Sequence, residues 1–267
     1  MALGADQKDR PLYIASFHDA RDELELDEFN AVDTETARTI NHLFDFESSL
    51  WIIAKQWASD TLRRPAARLH DYFLLLDAYA AHNERPGAPQ IVAAHFERDP
   101  DTRTVRATMS SHALIPLAQN WLVGRGAEPG RVLEPDGWSD PLDAETEQLE
   151  DFLRGSGERF EIHDTFSRHE PPYETWVIAT DTQQSPGPAE VYFWRLPDER
   201  SPAYTVRRGR FDSLDAAYEW TRDTSAPLPA ASRAQAARLR VAPVQPAPAQ
   251  APAPPPTDPS TRRPRSR

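Results

Sequence analysis

Residues 43–57 read Leu-Phe-Asp-Phe-Glu-Ser-Ser-Leu-Trp-Ile-Ile-Ala-Lys-Gln-Trp. Leu43, Phe46, Leu50, Ile53 and Trp57 recur at intervals of 3, 4, 3 and 4 residues, a spacing that aligns side chains along one stripe of an α-helix. Ala37, Ile40, Phe44 and Trp51 widen the stripe, and Asp33 or Thr34 supplies an N-cap. This reading predicts a helix over 34–59. A second helix is expected from Pro65, a residue suited to a first helical turn. Its apolar face is Leu69, Tyr72, Phe73, Leu76 and Ala80, and Arg-Pro-Gly-Ala-Pro at 85–89 stops it. The short link at 60–64 makes the pair an antiparallel αα-hairpin, so 1–88 is expected to be mainly helical.

Upstream, residues 12–17 alternate weakly as a short strand. The stretch 18–28 holds six acids and one Arg without the residue order of a calcium loop, and reads as a solvated helical face. Downstream the periodicity changes. Residues 91–98 and 102–108 alternate as strands around the turn Asp99-Pro100-Asp101. A helix over 113–123 ends at Gly124, expected as a left-handed cap, and another over 141–154 ends at Gly155. Strands are expected at 159–166, 173–179, 191–196 and 203–208, followed by a helix over 214–221 capped by Ser213. The fold class is α+β: an N-terminal αα-hairpin beside a mostly antiparallel sheet with flanking helices over 89–225.

A similarity within the chain suggests two ββα units. Phe96-Glu97-Arg98-Asp99-Pro100-Asp101 precedes Thr104-Val105-Arg106, and Phe193-Trp194-Arg195-Leu196-Pro197-Asp198 precedes Thr205-Val206-Arg207. A helix with a Trp follows each, at Trp121 and Trp220. The competing explanation is convergence, because hairpins with Pro-Asp turns favour such patterns.

Composition changes after Ser225. Residues 226–267 contain 11 of the 26 prolines, seven Arg, one acid (Asp258) and no aromatic residue. They read as a disordered, basic Pro/Ala-rich tail. The preceding 225 residues carry 23 basic against 41 acidic side chains, a formal charge of −18. That field repels phosphates and disfavours wrapping of a nucleic-acid duplex. There is no Cys, which excludes disulfides, thiolate metal sites and Cys nucleophiles. No apolar segment has the length of a membrane span, and residues 1–10 are polar with no apolar leader core after them. A cytoplasmic protein without membrane attachment is expected.

Two constellations are candidates for function. His163-Asp164 and His169-Glu170 place two imidazoles six residues apart, on one side of a continuous strand, with carboxylates beside them. Such a set holds a divalent metal or supplies a general acid and base. The alternative is a solvated strand end before Pro171-Pro172. The second constellation is a basic and aromatic hairpin. If Tyr192, Trp194 and Leu196 face the core, Phe193 and Arg195 point outward beside Arg207, Arg208 and Arg210. That surface would stack bases and neutralise phosphates of a single strand. The alternative is that both faces pack and the Arg side chains pair with acids such as Glu23 or Glu28. The glycine-rich stretch 124–130 follows a helix rather than a strand, and neither a P-loop nor a G-x-S-x-G elbow occurs. No cofactor is implied. The balance favours a non-enzymatic interaction or regulatory protein with a protein partner; single-strand nucleic-acid binding through 192–210 and metal-assisted catalysis through 163–170 are the alternatives.

Overall fold

The computed structural model describes residues 15–57, 68–80, 87–133, 140–168, 170–184, 187–197 and 203–229. Helix α1 (Phe17–Leu24) comes first, with the Ser16 side chain accepting from the His18 N–H at its start. Then one sequence of elements occurs twice. The first copy is β1 (Asn30–Ala31), α2 (Thr34–Asp45), β2 (Leu50–Gln56), β3 (Leu69–Asp77), β4 (Ile91–Asp99), β5 (Thr104–His112) and α3 (Ile115–Val123). The second is β6 (Asp140–Pro141), α4 (Ala144–Arg154), β7 (Phe160–Arg168), β8 (Glu174–Asp181), β9 (Ala189–Arg195), β10 (Ala203–Phe211) and α5 (Leu214–Thr221).

The sheets have matching orders, β1-β5-β4-β3-β2 and β6-β10-β9-β8-β7. In each, the two-residue leading strand lies parallel to the last strand and every other pairing is antiparallel. Details repeat as well. A bulge interrupts the edge strand between Ile52 and Ala54 in one copy and between Ile162 and Asp164 in the other. Asp33 caps α2 by accepting the Thr36 N–H at 2.7 Å, and Asp143 caps α4 by accepting the Thr146 N–H at 3.0 Å. The α+β class thus holds, and the repetition spans seven elements rather than a ββα unit.

The second part of the sequence similarity that suggested repetition is in structural register, since Val105 and Val206 face α2 and α4 and Arg106 and Arg207 pair with the caps Asp33 and Asp143, but the first part is not. Phe96 packs on the side of its sheet covered by α1 and α2, with Phe17 and Leu43. Phe193 packs on the opposite side of its own sheet, against Trp220 of α5. Trp194 is the residue on the α4 side. A slip of one residue reverses the face of a strand, so Phe96 and Phe193 do not occupy equivalent positions.

Four apolar clusters set the layers. Phe17, Leu24 and Leu43 of α1 and α2 bury one face of the first sheet with Phe73, Leu75 and Phe96. Ala118 and Leu122 of α3 bury the other with Leu74 and Ala93. Leu149 and Leu153 of α4, with Leu114 and Leu117, cover Val177, Tyr192 and Val206 of the second sheet. Ala217 and Trp220 of α5 cover Trp176, Ile178 and Phe211 on its far side. Helix α3 therefore lies between the sheets, which is why Pro116, Leu117, Ala118, Gln119 and Leu122 are all buried while α5 buries only Ala217 and Trp220. All described residues belong to one compact unit.

The N-terminal αα-hairpin is not present. The α2 helix stops at Asp45, and Leu50–Gln56 and Leu69–Asp77 are strands. Both are buried on two faces: Leu50 and Ile52 face α1 and α2 while Ile53 and Ala54 face α3, and Phe73 and Leu75 alternate in the same way with Leu74. A strand covered on both sides reads as a continuous apolar run, and its chance coincidences with a 3,4 spacing imitate a helix. Residue 88 consequently falls between two strands of one sheet. Of the short strand expected at 12–17, residues 12–14 lie outside the described residues; Ser16 makes a bridge to Trp51, and Phe17 opens a helix. Gly124 has right-handed geometry (φ −59°); the left-handed residue is Gly126 at φ 102°, beyond which the Ala127 N–H closes on the Leu122 carbonyl.

The change at Ser225 is not the end of packing. Ala226 and Leu228 join the cluster under α5, and a Cβ on Gly209 would lie 2.5 Å from Leu228 Cδ2. The tail beyond Pro229 lies outside the described residues. Among the described residues no helix is long and apolar enough to cross a membrane.

Candidate functional site

The bulge at 162–164 governs the first sequence candidate. His163 is the extra residue of the edge strand β7, and its Nε2 lies 2.6 Å from Thr180 Oγ1 on β8. Asp164 instead turns back to accept the Thr165 N–H at 2.8 Å. Strand β7 ends at Arg168, Glu170 is exposed, and His169 lies outside the described residues. The structure thus does not bring His163, Asp164 and Glu170 onto a shared partner. Among the described residues no group of three His, Asp or Glu is placed to hold a metal ion.

The hairpin β9–β10 is packed on both faces, so its aromatic side chain is not available for stacking. Phe193 is 7% exposed and meets Trp220 edge-on at 5.2 Å between ring centroids. The arginines are engaged by the protein's own groups. Arg207 pairs with Asp143 and donates to Thr146 Oγ1, Arg208 pairs with the fully buried Glu190, and Arg210 donates to Gln184 Oε1 at 3.4 Å. Arg195 is half-buried at the end of β9. The acids that hold these arginines come from β9 and the start of α4, not from Glu23 or Glu28.

The described chain does form a cleft at the junction of its halves. Strand β5 ends at His112, Ala113 and Leu114 turn the chain, and Pro116 sits in the first turn of α3. This corner leans on the end of the second sheet where β7 and β9 finish and β8 and β10 begin. Between them lies a cavity of about 340 Å³. Ile91, Leu114, Ile115 and Pro116 form an apolar wall, and Tyr173, Trp194 and Tyr204 form an aromatic one. Trp194 and Tyr204 stack at 5.7 Å with 28° between ring planes.

One acidic and one basic side chain reach this cleft, and both are held in place. Glu150 of α4, 7% exposed, accepts the Tyr204 hydroxyl at 2.7 Å. Arg168 pairs at 3.1 Å with Glu174, whose carboxylate is 2% exposed and also accepts the Thr224 hydroxyl at 3.0 Å. A mostly apolar cavity with a few fixed polar groups has the character of a binding site.

Sequence reasoning missed this site because its lining runs from Gln90 to Tyr204 with no local motif. The only local signal was the aromatic run 192–194, in which strand parity directs Tyr192 and Trp194 to the core and Phe193 outward, with nothing to show that Trp194 meets a cavity there. No protein family, curated protein or solved structure matches this chain.

Proposed function

We propose that this is a non-enzymatic binding or regulatory protein whose partner is another protein, anchored by an apolar or aromatic side chain in the cleft at the start of α3. The observation that carries the reading is the cleft itself: about 340 Å³, walled by Ile115 and Pro116 on one side and Tyr173 and Trp194 on the other. A cavity of this size accepts one large side chain, the type of anchor that dominates protein interfaces. The formal −18 of residues 1–225 selects a partner whose surface around that anchor is basic.

The test is capture from source-cell lysate after nuclease treatment, comparing wild type with Ile115→Lys and Tyr173→Ala. Both positions line the cleft and neither is fully buried. A protein retained by wild type and lost at least tenfold by both variants supports the reading. A partner indifferent to both substitutions refutes it. Capture that disappears with nuclease refutes it in favour of nucleic-acid binding.

A further inference from the structure

A second cavity, of about 360 Å³, lies at the other end of α3. One side is Trp121 and Arg125; the other is Phe160 and Ile162 at the start of β7. His112, the last residue of β5, forms its base. The His112 Nε2 is buried and has no hydrogen-bond partner. A buried polar atom without a partner carries a desolvation cost that a ligand atom can remove. The Arg125 guanidinium carbon sits over the Trp121 ring, 3.3 Å from its centroid, and the side chain donates to the Trp121 carbonyl at 3.3 Å. Among the described residues it forms no ion pair with a carboxylate. Ile162, a large apolar side chain, is 43% exposed at the mouth. Glu158 is the cavity's one acidic side chain and is exposed.

We infer that this cavity is a second binding site, which takes a small carboxylate with a planar aromatic body. The ring enters between Trp121 and Phe160, and the carboxylate bridges the Arg125 guanidinium and the Nε2–H tautomer of His112. A guanidinium already stacked on an aromatic face is preorganised for a planar oxyanion, and charge-assisted bonds to it are the stronger kind. The electrostatics of the empty site agree with this assignment. Burial, and secondarily the charge of Arg125, lower His112 from 6.5 to about 4, so its imidazole is neutral near pH 7. A carboxylate between the two groups would offset the Arg125 charge and raise that value.

The probe is 2-naphthoate, titrated into the full chain by calorimetry beside its uncharged analogue 2-naphthalenemethanol. Saturable naphthoate binding, at least tenfold weaker for the alcohol and at least tenfold weaker in Arg125→Gln and in His112→Phe, supports the site. So does an upward shift of the His112 imidazole titration in NMR on adding naphthoate but not the alcohol. Thermal melts establish that each variant is folded, and the comparison of the two ligands on wild type depends on no variant. Equal affinity for the two ligands, undiminished binding in Arg125→Gln, or no binding at millimolar naphthoate overturns the inference. Binding abolished by Trp194→Ala instead would place naphthoate in the cleft at the start of α3 and overturn it too.

Discussion

Replacing Arg208 with Met tests whether this residue belongs to the core or to a binding surface. In the structure Arg208 is one-tenth exposed and pairs with Glu190, which is fully buried and also accepts the Tyr192 hydroxyl at 2.7 Å. The substitution keeps the aliphatic stem and removes the guanidinium, leaving a carboxylate without its cation. Breaking a buried pair from one side costs roughly 3–5 kcal/mol. The lower end applies here, because Arg208 Nε is itself buried without an acceptor and its removal recovers part of the loss. About 3 kcal/mol in a unit of this size lowers Tm by roughly 6–12 °C. Adding Glu190→Gln removes the stranded charge while leaving an acceptor for Tyr192, and should restore about half of the loss. The control is Arg210→Ala, whose single contact to Gln184 is long, and it should change stability by less than about 0.5 kcal/mol. Urea denaturation of the four proteins gives these values. If Arg208→Met cost less than about 1 kcal/mol, or if Glu190→Gln deepened the loss, the pair would not be the buried support described here, and Arg208 would again be available as a surface cation.

Other outcomes are expected with similar definition. Gly87 has φ 88°, and a Cβ there would meet the Phe166 ring at 2.2 Å, so Gly87→Ala should cost about 2–4 kcal/mol by chemical denaturation, whereas Gly130→Ala, with open space around it, should stay within about 1 kcal/mol of wild type. In the unfolded chain His112 takes up a proton near pH 6.5, but in the folded protein only near 4. Above pH 6.5 both states are neutral and the shift contributes nothing; as pH falls from 6.5 to 4 it removes up to about 3 kcal/mol of stability, and the loss levels off below 4. The pH–stability profile of His112→Gln should therefore be flatter than that of wild type across this interval, and parallel profiles would refute the assignment. Asp33→Ala and Asp143→Ala each remove a helix cap, and each should cost about 1 kcal/mol in a denaturant melt. Asp143 is hydrogen-bonded by Arg207 through both oxygens whereas Asp33 meets the exposed Arg106 only at 3.6 Å, so the loss at Asp143 should be the larger of the two.

Much of the chain after residue 90, and some helix starts before it, was legible from local sequence. Asp33 and Ser213 are short polar residues that satisfy free amide groups at helix starts, whatever lies elsewhere in the chain. The helix Leu214–Thr221 and the strand Ile91–Asp99 begin where their spacing places them. Residues 50–56 and 69–77 were illegible for a physical reason. The run Ile-Ile-Ala at 52–54 is apolar on both faces because helices cover both faces of the strand there, and with Trp51 apolar although exposed, no polar phase reveals the period.

The sequence by itself determined the α+β class, the N-caps at Asp33 and Ser213, most element positions after residue 90 and the contrast between an acidic body and a basic Pro-rich tail. Each of these follows from bonding or solvation within a few residues. Tertiary structure alone decided the doubled topology, the inward turn of Phe193, the engagement of Arg207 and Arg208, and the two cavities flanking α3. In those cases the deciding partner is far along the chain: Trp220 for Phe193, Asp143 for Arg207, and Tyr173 across the cleft from Ile115. One-residue register determines which of two faces a strand side chain occupies, and only the packed arrangement of both sheets selects it.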